Sequence, residues 1–276
     1  MQPKKLHFPP LNQNSPMEQI LQKLGIELNE QTRLSLDSTF QFGCHSKLSC
    51  YNSCCSNLDI FLTPYDVLRM KNKLGITSTQ FLSEYVEPVI QQESKLPFLR
   101  LKFQEGGQCR FVAPEGCTIY SDRPVACRYY PVGFGIHKSQ NAHGNDFYFL
   151  VREDHCKGFE ETQEWTVREW RKNQGIDEYD DNNRIWMDII LHKKLVSPDL
   201  EPDEKSLKMF FMASYDIDSF KEFMFESRFL EIFEVEEEEL ELLKSNEAEL
   251  MLFAHKWLQY ALFKQPTMTV RQQPKA

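Results

Sequence analysis

The chain has 276 residues, of which 41% are hydrophobic and 26% are charged, a composition typical of a globular protein that can bury a core without disulfides. No apolar run approaches the roughly 18 residues that span a bilayer, and no apolar segment follows the two lysines near the N-terminus as it would in a secretory signal. We therefore expect a cytoplasmic protein without a membrane partner, in a compartment where structural disulfides are rare.

The net charge of −9 is unevenly distributed along the chain. Residues 1–158 carry 17 Lys and Arg against 15 Asp and Glu, whereas residues 159–276 carry 15 against 26. Phosphate binding depends on clustered Lys and Arg, so the acidic second part argues against nucleic acid as a partner.

Composition and pattern predict three parts. Residues 1–40 form an extension with one short helix opened by Ser15 and Pro16, residues 41–158 form a cysteine-cluster metal-binding domain, and residues 159–276 form an acidic α-helical region. The fold class is therefore α+β: a small cysteine-rich domain with a short antiparallel sheet and helices, followed by a mostly helical C-terminal part.

Capping residues predict two helices after the first cysteines. Thr63 and Asp66 have the spacing of a capping box, and Gly75 is placed to end the first helix. The second helix is expected to begin near Thr77 and to continue to Pro88.

Alternating apolar residues predict strands at 98–103, 132–136 and 147–151, with a loop of Gly, Asn and His residues at 137–146. We expect these strands to form one small antiparallel sheet beside the cysteines. From Glu160 onward the chain is expected to be helical, because segments such as 177–194 place apolar residues on one helical face.

The cysteines carry the main chemical signal. All eight fall in the first 156 residues, at Cys44, Cys50, Cys54, Cys55, Cys109, Cys117, Cys127 and Cys156. Clustered thiolates repel one another unless a cation neutralises them, and a bound metal favours their deprotonation at neutral pH. The cluster therefore predicts a metal site with these eight cysteines as ligands, and the bound species is zinc or iron, a [4Fe–4S] cluster included.

The adjacent cysteines Cys54 and Cys55 suggest more than one metal atom. Neighbouring side chains diverge by about 100° on a helix and point to opposite faces of a strand, so both can hardly serve one tetrahedral ion. Eight sulfurs fit two four-thiolate sites, or one polynuclear cluster with spare ligands. The C-x2-C spacing of zinc ribbons is absent from the sequence, so an ordinary zinc finger is not supported.

Two runs resemble a known family. The run CHSKLSCYNSCC and the run CRFVAPEGCTIYSDRPVACRYYP are similar to the YkgJ-type cysteine-cluster family, which has a zinc- or iron-chelating domain. The family pattern C-x-I-Y-x-x-R-P-x-x-C-R-x-x-P extends from Cys117 to Pro131, while the five residues between Cys44 and Cys50 exceed the spacing of many members. The resemblance covers about residues 42–158 and implies metal chelation, but it establishes no reaction.

Two arginines and one tyrosine of this pattern have expected roles. Arg123 and Arg128 bracket Cys127, where guanidinium groups would offset thiolate charge and donate hydrogen bonds to sulfur; the alternative is pairing with surface carboxylates. Tyr120 is expected to fill the core. Of the nearby histidines, His45 and His155 adjoin cysteines, and either could replace a thiolate.

Three functions are compatible with these residues. The interpretation we favour is a metal-binding protein in metal handling, redox sensing or electron transfer. The second is a metal-dependent enzyme, for example one similar to the flagellin lysine methylases, which carry a related cysteine cluster and use S-adenosylmethionine. However, Gly133-x-Gly135 is an isolated glycine pair, and Asn57 stands where a radical S-adenosylmethionine triplet needs cysteine. The third is an interaction module with a structural metal, in which the acidic helical segment 234–239 docks a basic partner.

Overall fold

The structure is a computed structural model that describes residues 32–136, 146–196 and 201–271. It contains 51% helix and 16% strand, with short antiparallel sheets in the N-terminal half and helices in the C-terminal part, which confirms the α+β fold class. The short helix expected at Ser15 and almost all of the loop expected at 137–146 lie outside the described residues.

Nine short strands form four antiparallel sheets among the described residues. They are β1 (Thr39–Gln41), β2 (Phe61–Leu62), β3 (Val86–Ile90), β4 (Pro97–Leu101), β5 (Val112–Ala113), β6 (Gly116–Cys117), β7 (Val132–Ile136), β8 (Asp146–Leu150) and β9 (Glu164–Thr166). β4 is the centre of a three-stranded sheet between β2 and β3, and the other pairs are β1–β9, β5–β6 and β7–β8.

The expectation of one sheet beside the cysteines is wrong in part. β7 and β8 pair in register from Val132↔Leu150 to Ile136↔Asp146, close to the expected segments. The strand expected at 98–103 is β4, which belongs to a different sheet. Its alternate residues Pro97, Leu99 and Leu101 are buried. The packing of these side chains in the core therefore determines the pairing of this strand, and the position of the cysteines does not.

Ten α-helices are present in the described part of the chain. They are α1 (Pro64–Leu74), α2 (Ser78–Tyr85), α3 (Val125–Tyr129), α4 (Val167–Gln174), α5 (Ile176–Val196), α6 (Glu204–Tyr215), α7 (Ile217–Glu226), α8 (Phe229–Ile232), α9 (Glu237–Ser245) and α10 (Glu247–Phe263). None of them combines the length and apolar character that a bilayer span requires.

The capping signals place the first two helices correctly. Thr63 and Asp66 form the expected capping box of α1, and Gly75 ends it in the left-handed conformation at φ 67°. The second helix stops at Tyr85 instead of Pro88, because the following residues enter β3 and Pro88 faces Leu99 of β4. The residue before a proline disfavours the helical conformation, which opposes extension of the helix.

The C-terminal part is helical apart from β9, where Glu164–Thr166 pairs with β1 instead of continuing a helix. The helix expected at 177–194 is α5. The larger hydrophobic core contains side chains from the first part of the chain, such as Leu62, Met70 and Leu99, together with Trp186, Phe220 and Trp257 of the helices. A smaller core surrounds Phe42, Tyr129 and Trp170 beside β1 and β9.

Candidate metal centre

Backbone hydrogen bonds bring the three cysteine segments together. The Cys109 N–H donates to the Cys55 carbonyl at 2.8 Å, and the Asn57 N–H donates to the Gly107 carbonyl at 2.7 Å. On the other side, the Lys157 N–H donates to the Cys50 sulfur at 3.2 Å, next to Cys156. The early cysteine segment therefore lies between the middle segment and the segment of Cys156.

The first thiol group consists of Cys44, Cys50, Cys54 and Cys156. Partial burial of its sulfur and the charges of Cys54, Cys156 and Cys50 together raise the pKa of Cys44 to about 11. These four thiols are therefore grouped by the electrostatic effect of three of them on Cys44. Cys156 packs against the smaller core, while Cys44 is exposed, so this group reaches the surface.

The second thiol group consists of Cys55, Cys109, Cys117 and Cys127. Burial raises the pKa of Cys127 to about 12, and the charges of Cys109, Asp66 and Cys117 act in the same direction. Cys109, Cys117 and Cys127 pack against the larger core. The two thiol groups therefore rest on different cores.

The adjacent cysteines join the two groups. Ser53–Cys55 forms a 3₁₀ turn, and within it the Cys55 thiol hydrogen-bonds the Cys54 thiolate, which lowers the pKa of Cys54 to about 6. The same hydrogen bond, burial and the charges of Cys54, Cys109 and Cys127 raise the pKa of Cys55. The two thiols interact with each other, so the expectation that these side chains diverge is wrong. The other interaction partners of Cys54 nevertheless differ from those of Cys55.

The second group is held in place by a residue whose role the sequence did not reveal. The buried Asp66 carboxylate caps α1 and also accepts a hydrogen bond from the Val125 N–H at 2.7 Å, at the start of the helix that carries Cys127. Burial raises the pKa of Asp66 to about 6. The capping-box pattern was visible in the sequence, but nothing in it indicated the contact with a helix 59 residues away.

Arg123 and Arg128 do not bind surface carboxylates. Arg128 donates to the carbonyl oxygens of Arg123, Gln174 and Ser121 and to the Tyr179 hydroxyl. These bonds attach the loop before α3 to the helical region. Among the described residues, neither arginine donates a hydrogen bond to sulfur. The charge of Arg123 nevertheless offsets part of the pKa increase that burial causes at Cys44, Cys117 and Cys127.

Tyr120 lies at the surface with 61% of its area exposed, so the expectation of a core position is wrong. Arg123 stacks on the Tyr120 ring at 3.8 Å from its centroid and donates to the Tyr120 carbonyl. The glycines Gly133 and Gly135 have a packing role in β7. A Cβ at Gly133 would lie 2.3 Å from the Phe149 ring, and one at Gly135 would lie 2.4 Å from the Phe147 ring.

The two candidate histidines differ in their surroundings. His45 lies 3.4 Å from the Glu161 carboxylate and also accepts from the Lys47 N–H. His155 is exposed, and its charge lowers the pKa of Cys54. Of the two histidines, His155 is therefore the one whose charge acts on the first thiol group.

The residues present fit a metal–thiolate centre by their chemistry. Eight free thiols supply soft sulfur ligands, which zinc and iron accept. The Tyr130 hydroxyl is buried beside Cys156, and burial, a side-chain hydrogen bond with Cys156 and the charge of Cys156 raise its pKa. A hydroxyl in this position can donate to a metal-bound thiolate. Within the described residues, however, no three His, Cys, Asp or Glu side chains are yet disposed to hold one metal ion, so binding requires the sulfurs to draw closer.

Comparisons with known proteins agree with this chemistry. The model of the family CxxCxxCC, described as "Putative zinc- or iron-chelating domain", matches residues 43–164, which include all eight cysteines. Neither a curated protein nor a solved structure matches the chain. The matched family is the YkgJ-type family that the two cysteine runs resemble, so the comparison confirms that resemblance over residues 43–164.

Proposed function

We propose that the protein binds two zinc or iron ions, one in each thiol group. The observation that carries this proposal is the division of the eight cysteines into two sets of four, with Cys54 in one set and Cys55 in the other. Four thiolates complete the coordination of a tetrahedral ion, and such closed sites are typical of structural rather than catalytic metals. Two closed sites therefore explain why eight thiols are gathered in one region.

The raised pKa values of the thiols add a requirement for charge compensation. Burial raises the pKa values of Cys44, Cys109, Cys117 and Cys127, so these thiols are protonated at neutral pH when no metal is bound. Metal binding must displace these protons, and the metal charge supplies the compensation that the apolar surroundings lack. The affinity for metal should therefore increase with pH.

The exposure of Cys44 supports a role in metal handling. The first thiol group reaches the surface through the exposed Cys44, whereas every cysteine of the second group is partly buried. We infer that the first site exchanges its ion with external ligands more readily than the second. If the ion is iron, the same pair of sites supports electron transfer instead. Eight free thiols persist in a reducing compartment, which supports a cytoplasmic setting.

Metal analysis of cysteine variants tests the proposal. The purified wild-type chain should contain two ions, and Cys156→Ser and Cys109→Ser should each contain one, measured by elemental analysis under anaerobic conditions. His45→Gln and His155→Gln are the matched controls and should keep both ions. Two ions retained in either cysteine variant would contradict the division into two sites. Stoichiometric inorganic sulfide with a broad visible absorption band would replace it with one iron–sulfur cluster.

A further inference from the structure

A cationic cleft lies on the surface beside the cysteine domain, between the loop before α3 and the C-terminal end of α4. Its volume is about 360 Å³, and its lining includes Tyr120, Arg123, Arg128, Lys172, Asn173 and Gly175. Three of these residues are cations, and no acidic residue lines the cleft, although the chain as a whole carries a net charge of −9. The cleft is therefore a local concentration of positive charge.

The two guanidinium groups of the cleft are buried without anionic partners. Arg123 is 8% exposed and Arg128 is 7% exposed. Their recorded hydrogen bonds go to carbonyl oxygens, to the Gln174 side-chain amide and to the Tyr179 hydroxyl. In the described part of the chain, no carboxylate lies within ion-pair distance of either group. The two guanidinium groups therefore face one cleft without a carboxylate in an ion pair, although the charges of Asp66, Cys117 and Cys127 act on them.

Such an arrangement has an energetic cost that an anion would reduce. Buried charges are normally paired, because removing an ion from water is unfavourable unless an opposite charge or several hydrogen bonds replace the water. Among the described residues, Arg128 donates to three carbonyl oxygens and the Tyr179 hydroxyl, whereas Arg123 donates to two acceptors. The exposed Lys172 side chain has no hydrogen-bond or ion-pair partner within the same residues. The cleft thus retains donors and positive charge that its own residues do not neutralise.

We propose that this cleft binds a small oxyanion, the phosphate or carboxylate group of a metabolite, through Arg123 and Lys172 with Arg128 as a fixed positive charge. Arginine and lysine are the residues that recognise such groups by charge-assisted hydrogen bonds. The volume is within the range of small-molecule sites and exceeds that of a bare phosphate ion, so the ligand carries a further group beside its anion. The exposed Tyr120 ring offers an apolar surface for that group. The proposal does not depend on the metal stoichiometry proposed above.

Ligand-dependent stability of the metal-loaded full chain tests the cleft. Inorganic phosphate and succinate serve as the two probes, each compared with sodium chloride at equal ionic strength, and binding is measured by isothermal titration calorimetry and by the thermal unfolding midpoint. We expect saturable binding of at least one probe. The probe that binds more tightly shows whether the natural ligand carries a phosphate or a carboxylate group. Metal content is measured before and after, so that removal of the metal by the anion is recognised.

Charge variants localise the binding. Lys172→Gln should weaken it about tenfold, the loss expected for one charge-assisted hydrogen bond. Lys256→Gln removes an exposed lysine from α10, outside the cleft, and should leave the affinity unchanged. Asn173→Asp places a carboxylate in the cleft; it should abolish probe binding and raise the unfolding midpoint of the ligand-free protein. Absence of binding by both probes, or equal binding by Lys172→Gln and Lys256→Gln, would overturn the proposal.

Discussion

The cysteine loops and the helical region are stabilised by different means. In the loop at 43–58 no residue is buried, and in the loop at 104–118 only Phe111 and Gly116 are. By contrast, α10 alone buries seven residues, among them Leu250, Phe253 and Trp257. Apolar burial stabilises the helices, whereas the loops bury few apolar side chains and contain the clustered thiols instead. Packing therefore accounts for the helical region, whereas the stability of the loops would depend on the metal coordination proposed above.

Metal removal should separate the two regions most strongly. Four-thiolate zinc sites contribute about 10–16 kcal/mol of apparent binding free energy in small domains, as much as the whole stability of many domains. Chelation should therefore increase amide hydrogen exchange at 43–58 and 104–118, while 177–194 and 247–263 remain protected. Hydrogen exchange with mass spectrometry measures both regions in one experiment. Unchanged protection of the loops would show that they are stable without metal.

A substitution in the helical core should lower the stability of the fold and leave the metal content unchanged, the opposite of metal removal. Phe220 is fully buried between Phe223, Phe229 and Trp257, and Phe220→Ala should lower the free energy of unfolding by about 3–5 kcal/mol. Leu242→Ala, at a side chain that is 45% exposed, is the control and should change it by less than about 0.5 kcal/mol. Chemical denaturation gives these values. The metal content of the folded protein should be unchanged, and its loss would mean that the two regions are not independent.

Acid should weaken the helical region through one histidine. His255 is fully buried, and within residues 32–136, 146–196 and 201–271 neither of its ring nitrogens has a hydrogen-bond partner. Burial lowers its pKa from 6.5 to about 3. The unfolded chain therefore binds a proton that the folded chain does not, and stability is lost as pH falls below 6.5, by about 1.4 kcal/mol per pH unit. His255→Met should remove this dependence between pH 6.5 and 5, measured on metal-free and metal-loaded protein. A parallel decline in the variant would assign the acid sensitivity to other groups.

Thiol reactivity should distinguish Cys54 from Cys44 without changing stability. Since its pKa is about 6, Cys54 is a thiolate at pH 7 in the metal-free protein, whereas Cys44, at about 11, is protonated. A short pulse of iodoacetamide should label Cys54 first, and peptide mass spectrometry identifies the site. Bound metal should suppress the labelling. Earlier labelling of the more exposed Cys44 would show that accessibility controls the reaction instead.

Local signals in the sequence were sufficient for part of the fold. The capping box of Thr63 and Asp66 and the helical periodicity at 177–194 depend on neighbouring residues, and both elements form as expected. The strands β2 and β9 have only two and three residues, and each depends on a partner distant in the chain, so no local pattern announces them. Long-range pairing also explains why the sequence of β4 did not reveal that this strand pairs with β2 and β3.

The candidate site was predictable in composition but not in arrangement. Clustering of the cysteines indicated a common region, because thiols with only a packing role would be scattered. Their division into two groups depends on the position of Cys156 beside Cys50, which follows from tertiary contacts. The roles of Arg128 and Asp66 were also hidden, since their partners Gln174 and Val125 are 46 and 59 residues away.

The pairing of β1 with β9 has a consequence for the speed of metal capture. Phe40 faces Trp165, and the Gly43 N–H donates to the Gly158 carbonyl at 2.9 Å, so the two ends of the cysteine segment are fixed together by backbone bonds. An incoming ion does not need to close a long flexible chain to bring Cys156 to Cys44, and the associated loop entropy is already lost on folding. Once an ion is bound at one sulfur, the next sulfur has the high effective concentration of a second ligand attached through a short linker. Capture in the first group should therefore be faster than in a chain where the segment from Cys44 to Cys156 had to close around the ion.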